Sequence, residues 1–148
     1  MVQMHIAAGI KNMAELLNIH FEQIEVGQVV SLGVIAVDGT SLALYVERFL
    51  PGWDDSYGAP DGMLYALWSR LSFEACSRWA GFKMLAVDGV RYLRNPPAGE
   101  LLRGRVTIMG KDPVGDNKGV VIAQQDLLDE AGRLVFSCLT RSLVARQS

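Results

Sequence analysis

Three acidic residues in one irregular segment are the best candidates for proton transfer in this sequence. Asp54 and Asp55 are adjacent, and Asp61 follows them closely. A carboxylate whose pKa is raised by a charged neighbour and by partial burial can act as a general base or orient a water molecule. Aspartate is also common in turns and at helix N-caps. The alternatives are therefore a solvated loop for Asp54 and Asp55 and a capping role for Asp61.

Four aromatic residues surround these carboxylates, and they can line a pocket for an acyl or aromatic group. They are Trp53, Tyr57, Tyr65 and Trp68. Tyr65 and Trp68 lie at helical spacing, so core packing explains them equally well. Trp53 and Tyr57 lie in a polar segment, where core packing explains them less well.

Composition and charge exclude several other classes of function. The 148 residues are half hydrophobic and one fifth charged, which is typical of a single globular domain. The net charge of -2 and the scattered basic residues offer no surface for nucleic acid. No apolar run reaches the ~18 residues of a membrane span, and the first residues lack the features of a signal peptide. We expect a cytoplasmic protein without nucleic-acid or membrane partners.

The counts of histidine and cysteine argue against a metal site. His5 and His20 are the only histidines, and Cys76 and Cys138 are the only cysteines. We therefore expect no histidine-based triad and no metal in the body of the domain. Two cysteines without a short metal-ligand spacing indicate buried, reduced thiols.

Hydrophobic periodicity places three elements before the acidic segment. An apolar stripe predicts an amphipathic helix over residues 6–18, and its members are Ile6, Ile10, Met13 and Leu17. A strand over residues 28–37 follows. Asp38-Gly39 then forms a turn, and Thr40 or Ser41 caps a short helix that ends at Phe49.

A long helix and four strands complete the predicted order, which indicates an α+β domain. The helix covers residues 61–80, with Asp61 as its N-cap and Gly81 at its end. Its apolar face is Leu64, Leu67, Leu71 and Ala75, and its polar stripe is Arg70, Glu74 and Arg78. The strands cover residues 84–93, 101–110, 119–128 and 134–145, and we expect them to form one antiparallel meander.

Four segments in this order carry a resemblance to a known family. They are residues 21–28 (FEQIEVGQ), 37–51, 88–102 (DGVRYLRNPPAGELL) and 129–144 (DEAGRLVFSCLTRSLV). The pattern resembles the hot-dog fold and, more narrowly, MaoC-like hydratases and dehydratases of acyl thioesters. The resemblance implies a long central helix wrapped by a curved antiparallel sheet over residues 21–148, with an N-terminal helical appendage over residues 1–20.

The same resemblance implies the partners of the chain. The substrate is an acyl thioester of coenzyme A or of a carrier protein, and no cofactor is needed beyond the coenzyme A or phosphopantetheine of that substrate. Arg91, Arg94 or Arg103 can meet a coenzyme A phosphate. The fold usually forms a dimer, so we expect a homodimer or a hetero-oligomer with another hot-dog subunit.

The sequence departs from this family where the chemistry is expected. Active members have an Asp-Pro pair at the end of the short helix and a His four residues after the Pro. Here Leu50 precedes Pro51, and Asp55 stands at the His position. Leucine cannot transfer a proton, so the usual hydratase reaction requires another source of acid and base. Gly62 stands where active members use a helix N-terminal amide to hold the thioester oxygen, with simple helix entry as the alternative.

A second pattern overlaps the same segment. Residues 55–65 resemble the 4-hydroxybenzoyl-CoA thioesterase signature at Asp55, Gly58 and Tyr65. Ala59 replaces its His, and Asp61 replaces an Asn. This resemblance implies a thioesterase acid at Asp61. Glu74 also falls at a mid-helix position that some hot-dog thioesterases use.

Two functional hypotheses remain from different classes. In the first, which we favour, the chain is an enzyme: Gly62 holds the carbonyl, the region from Trp53 and Tyr57 to Tyr65 holds the acyl group, and an aspartate of the segment transfers protons. In the second, a non-catalytic subunit binds the thioester or completes the pocket of a catalytic partner. Leu50 favours the second hypothesis, and the acidic and aromatic residues of residues 53–57 favour the first.

Overall fold

The computed structural model describes residues 18–147 and contains two helices and one antiparallel sheet in that range. The elements are β1 (Val29–Ala36), α1 (Gly39–Phe49), α2 (Asp61–Cys76), β2 (Lys83–Tyr92), β3 (Leu101–Val114), β4 (Lys118–Leu128) and β5 (Leu134–Ala145). Short 3-10 turns occur at Phe21–Gln23 and Asp55–Tyr57. The predicted helix over residues 6–18 lies outside the described residues except for Asn18, which is in a bend. Neither of the two described helices is long and apolar enough to cross a membrane.

The strand order in the sheet is β1-β3-β4-β5-β2, and every neighbouring pair is antiparallel. β3, β4 and β5 form the predicted meander, but β2 pairs with β5 instead of β3. The prediction of a four-strand meander is therefore wrong for β2. The link to β3 contains Pro96 and Pro97, whose rings fix φ and remove two backbone donors. This link crosses the sheet, and β1 takes the place beside β3.

Helix α2 differs from its prediction at both ends. Pro60 is the N-cap, and its carbonyl accepts hydrogen bonds from Met63 and Leu64, so Asp61 is the first helical residue and not the cap. The helix ends at Cys76 because the Ser77 hydroxyl donates to the Glu74 carbonyl at 2.9 Å, which satisfies a terminal acceptor. Gly81 comes later, beyond an extended bridge between Ile19 and Trp79, and does not close the helix.

The N-cap of helix α1 lies earlier in the chain than predicted. The carboxylate of Asp38 accepts hydrogen bonds from the amide and the hydroxyl of Ser41 at 2.8 and 2.9 Å. Asp38 is therefore the N-cap, and the prediction of Thr40 or Ser41 is wrong. These two bonds lower the pKa of Asp38, because they stabilise its ionised form.

The core lies between α2 and one face of the sheet. Trp68 is buried and stacks on Phe136, with ring centroids 5.3 Å apart. Its indole N–H donates to Gln125 at 2.9 Å, and Gln125 in turn donates to Thr140 at 3.1 Å. Because a buried polar group must find a partner, this chain of bonds fixes how α2 lies on β4 and β5.

Candidate functional site

The loop before α2 is held against the proline loop between β2 and β3. The amide of Ala59 donates to the Pro96 carbonyl at 2.8 Å. The Asn95 side chain donates to the Ala59 carbonyl at 2.8 Å and to the Asp61 carboxylate at 3.1 Å. Gly58 has a φ of +93°, and a side chain there would overlap the Asn95 carbonyl. The start of α2 is therefore fixed in position by a second loop.

The first turn of α2 presents unpaired amides. The N-cap Pro60 has no side chain that accepts a hydrogen bond, and within residues 18–147 the amides of Asp61 and Gly62 have no acceptor. Gly62 is exposed. Free N–H groups and the helix dipole together favour a negatively charged or polarised oxygen at this point. Gly62 can therefore donate to a ligand, as its predicted role requires.

A cluster of tyrosine side chains surrounds this helix start, and the sequence analysis did not include two of its members. The hydroxyl of Tyr45, from α1, lies directly against Gly62, so a side chain at position 62 would overlap it. Partial burial raises the pKa of Tyr92, and the nearby Asp61, Tyr65 and Tyr45 raise it further when they are ionised. Tyr92 therefore stays a neutral hydrogen-bond donor well above neutral pH.

Tyr45 and Tyr92 had no motif that marked them. Tyr45 is an ordinary residue of α1 in contact with Phe49, with ring centroids 5.3 Å apart. Tyr92 is the last residue of β2, and it comes near α2 because β2 pairs with β5. Only a prediction that β2 pairs with β5 would have placed Tyr92 near the start of α2.

The adjacent aspartates lie in the 3-10 turn at the surface. Asp54 caps this turn and accepts a hydrogen bond from the Ser56 amide at 2.9 Å. Hydrogen bonding to the Ser56 side chain and amide lowers the pKa of Asp54. The prediction that Asp54 has the raised pKa of a general base is therefore wrong. Asp55 is exposed, and its side chain has no hydrogen-bond partner within the described part of the chain.

The predicted aromatic residues divide into two groups. Trp53 contacts Tyr57 edge-on at 5.9 Å and donates its indole N–H to the Gly58 carbonyl at 3.0 Å. Tyr57 is 67% exposed, so this pair lies at the surface of the loop. Tyr65 and Trp68 contact each other at 5.2 Å and join the core through Phe136. Tyr65 also lies near Tyr92.

The basic residues proposed for a phosphate differ in their surroundings. Arg94 binds Glu100 and the buried Asp129, so its charge is already neutralised within the protein. Arg91 and Arg103 are exposed and have no carboxylate partner among residues 18–147. Of the three, these two are accessible to an anion.

The predicted pairing of Arg70 with Glu74 and the predicted buried thiols are confirmed, whereas Arg78 forms no ion pair among residues 18–147. Glu74 pairs with Arg70 at 3.2 Å on the exposed face of α2. Cys76 and Cys138 are buried free thiols. Burial raises the pKa of Cys76 to about 11 and that of Cys138 to about 12. Within the described ranges, no three acidic, histidine or cysteine side chains come together as a metal site.

One cavity lies away from the tyrosine cluster. It has a volume of about 460 Å³ and lies between the C-terminal half of α2, β1 and the segment that precedes β1. Its floor is apolar and its rim is polar, with Leu32, Val106 and Ile108 below and Gln28, Glu74 and Arg78 above.

Comparison with solved structures identifies the architecture. A MaoC-like dehydratase from Rhodospirillum rubrum superposes with a TM-score of 0.79 at 17% identity, covering 88% of this chain and 99% of that one. A conserved hypothetical protein from Mycobacterium tuberculosis with a double hotdog fold superposes with a TM-score of 0.71 at 18% identity, covering 88% of this chain and 45% of that one. The chain has the hot-dog fold. A long central helix, α2, is wrapped by the curved antiparallel sheet.

A third similar structure is described as a complex. The HadBC (3R-hydroxyacyl-ACP dehydratase) complex from Mycobacterium tuberculosis superposes with a TM-score of 0.59 at 13% identity, covering 80% of this chain and 96% of that one. A scan against protein-family models found no match, and a search of the curated proteins found none. The hot-dog fold thus rests on structure, and Gly62, Tyr45 and Tyr92 lie at the N-terminal end of its central helix.

Proposed function

We propose that this chain binds an acyl thioester of coenzyme A or of a carrier protein and acts on it as a MaoC-like hydratase/dehydratase relative with an altered active site. The observation that carries this proposal is the meeting of the free Gly62 amide and the Tyr45 hydroxyl at the start of the central helix. The likeness to a MaoC-like dehydratase of the same fold supports the reaction class.

The thioester carbonyl is the group that these donors suit. Its oxygen accepts a hydrogen bond from the Gly62 amide, and the Tyr45 hydroxyl donates a second one. When the proton on the carbon next to the carbonyl is removed, negative charge develops on that oxygen. Fixed donors and the helix dipole stabilise this charge more than they stabilise the neutral substrate, which lowers the barrier.

Removal of water from a 3-hydroxyacyl thioester needs a base for the proton and an acid for the leaving hydroxyl. Asp61 is the aspartate nearest the proposed carbonyl position, and Asn95 holds its carboxylate at 3.1 Å. Tyr92 is a neutral phenol in the same cluster because its pKa is raised by burial and by nearby negative charge. We assign the base to Asp61 and the acid to Tyr92, and hydration is the reverse of these steps.

The test is turnover of a panel of 2-enoyl and 3-hydroxyacyl thioesters, followed by the absorbance of the conjugated double bond. We expect Tyr45→Phe to lower kcat/KM by about 100-fold to 1,000-fold, the range for loss of one charge-stabilising donor. Thr40→Val is the matched control because it removes an exposed hydroxyl from the same helix. Equal rates in Tyr45→Phe and Thr40→Val would contradict the role of the Tyr45 hydroxyl.

A second function, a non-catalytic hot-dog subunit, is favoured by two observations. Leu50 stands at the family's acid position and is 40% exposed, and Asp54 has a lowered pKa. This alternative predicts thioester binding without turnover of the panel, and copurification with a MaoC-like protein that has the Asp and His. A thioesterase would instead release free thiol, which a thiol reagent measures in the same assay.

A further inference from the structure

A polar cavity lies on the face of the sheet opposite α2, where β2, β5 and β4 run side by side. Phe136 of β5 stacks on Trp68 of α2, so the next side chain, Ser137, points to the other face. The cavity has a volume of about 230 Å³ and opens to solvent. We call it the outer hollow, and its lining residues are Gly89, Arg91, Gln124, Ser137, Cys138 and Leu139.

An irregularity in β2 makes room for the outer hollow. The register of β2 against β5 shifts between Asp88 and Arg91. Gly89 lies at this shift with a φ of +55°, and a side chain there would meet nothing within 4 Å. Bulges and glycines inside strands often mark places where a ligand approaches the backbone. The hollow is therefore open because of the backbone and not because of one side-chain rotamer.

A buried carboxylate fixes the polar wall of the outer hollow. Asp126 is buried and forms an ion pair with Arg105 at 2.8 Å, so its charge is compensated. It also accepts from the Ser137 hydroxyl at 2.9 Å and from the Gln124 side-chain amide at 3.2 Å. Within residues 18–147, the Ser137 oxygen, the Gln124 side-chain oxygen and the second Gln124 N–H have no further partner. The wall thus offers both acceptors and a donor in fixed positions.

Arg91 adds an uncompensated positive charge to this wall. It is exposed and has no carboxylate partner within the described part of the chain. The acid closest to it in sequence, Asp88, pairs with Arg141 at 3.3 Å. Since that pair and the Arg105–Asp126 pair are each neutral, Arg91 gives the outer hollow a net positive charge.

We propose that the outer hollow binds a phosphate group that carries a hydroxyl or lies beside one. The planar guanidinium of Arg91 pairs with two phosphate oxygens, and the free Gln124 N–H donates to the same group. The hydroxyl donates to the free oxygen of Gln124 or Ser137, which a carboxylate ion cannot do because it only accepts. Inorganic hydrogen phosphate and a ribose phosphate both have this chemistry. The site is independent of the acyl-thioester function, because it uses none of the residues assigned to that function.

Amide NMR titration of the full chain tests this site, because it detects weak binding and locates it. We expect inorganic phosphate to move the signals of Gly89 and Ser137. Sulfate has the same shape and charge but no O–H at neutral pH, so at matched ionic strength it should bind about 10-fold more weakly. Coenzyme A and dephospho-coenzyme A, which lacks the ribose phosphate, then show whether the phosphate comes from a nucleotide or is the free ion.

Arg91→Gln should weaken phosphate binding at least about 10-fold, since it removes the charge and the two-point contact. Arg48→Gln is the matched control, because Arg48 is also exposed and without a carboxylate partner among residues 18–147 but lies on α1. It should bind phosphate as the wild type does. Both variants should keep the wild-type melting temperature.

Three results would overturn the proposal. The first is that phosphate leaves the Gly89 and Ser137 signals in place. The second is equal binding of phosphate and sulfate, which would remove the role of the hydroxyl. The third is an equal loss of binding in Arg91→Gln and Arg48→Gln, which would mean an adventitious ion only.

Discussion

At the scale of single residues, Asp61 and Asp55 are distinguished by their surroundings. Asp61 lies beside Gly62, bonded to Asn95 and close to Tyr92. Asp55 is exposed in the 3-10 turn. The sequence placed Asp55 before Asp61 as a candidate, because Asp61 also suits a helix N-cap and the sequence does not show which carboxylate has polar neighbours. The structure separates them by neighbours that are distant in the chain.

We expect Asp61→Asn to lower kcat on the thioester panel at least about 100-fold, since an amide cannot accept the proton. Asp55→Asn, the variant that the family alignment favours, should leave kcat within a factor of about two. Both should keep the wild-type melting temperature, which thermal unfolding by circular dichroism checks. A large loss in Asp55→Asn and none in Asp61→Asn would reverse the assignment.

At the scale of elements, the position of α2 depends on loops that meet at its start and on the hairpin that joins β4 and β5. Gly58 allows the loop before α2 to approach Asn95. Asp129 holds the hairpin by accepting from the amides of Ala131 and Arg133, each at 2.9 Å, and from the Arg94 side chain. Arg94 lies in the link between β2 and β3 that contains the proline loop. Its hydrogen bond to Asp129 therefore joins this link to the hairpin between β4 and β5.

Gly58→Ala and Gly99→Ala form a matched pair for this docking. Their φ angles are +93° and +92°, but a side chain at Gly99 meets nothing within 4 Å. We expect Gly99→Ala to lower the free energy of unfolding by about 1–2 kcal/mol through backbone strain alone. Gly58→Ala should lower it by about 1–3 kcal/mol more, because the new methyl group overlaps the Asn95 and Pro96 carbonyls. Urea denaturation measures both, and equal losses would mean that the contact with the proline loop adds nothing.

The pH dependence of stability reports on Asp129. Hydrogen bonding from the Arg133 amide, followed by the side chains of Arg133 and Arg94, lowers the pKa of Asp129 below its ordinary 3.8. The resulting stabilisation is present above pH 3.8 and is lost as the pH falls through the lowered pKa. We expect Asp129→Asn to lower Tm at pH 7. The difference in Tm between this variant and the wild type should become smaller at acidic pH. Asp116→Asn, in the exposed turn before β4, should leave Tm unchanged at every pH.

At the scale of the whole molecule, the two edges of the sheet are available to a partner. The β2 edge has exposed Leu85 (52%), and the neighbouring face of α2 has exposed Phe73 (66%). Phe73 lines a small apolar cavity with Phe82 and Met84. Because a sheet edge and an apolar helix face lie together here, β2 is the surface that we propose for a second hot-dog subunit.

We expect Leu85→Lys to shift the protein toward the mass of a monomer in size-exclusion chromatography with light scattering. Val34→Lys is the control, since Val34 is 55% exposed on β1 at the opposite edge. A wild-type mass equal to one chain, or a loss of assembly only in Val34→Lys, would contradict pairing through β2.

Most of the fold was predictable because local signals agree with it. The bounds of β5 and the end of β4 followed from alternation and turn residues, and the alternating burial of β3 is as predicted. The position of β2 was not predictable in this way, since strand order depends on long-range pairing. The site was predicted in part: Gly62 and Asp61 lie at the helix start as expected, whereas Tyr45 and Tyr92 reach it only through tertiary packing.

The contact between Gly62 and Tyr45 links two positions that are 17 residues apart in the chain. A larger residue at position 62 displaces the Tyr45 hydroxyl and so favours a shorter residue at position 45. In an alignment of close relatives, these two positions should therefore change together. The double variant Gly62→Ala with Tyr45→Phe should be more stable than Gly62→Ala alone. Covariation of these two positions would therefore reveal the site in an alignment.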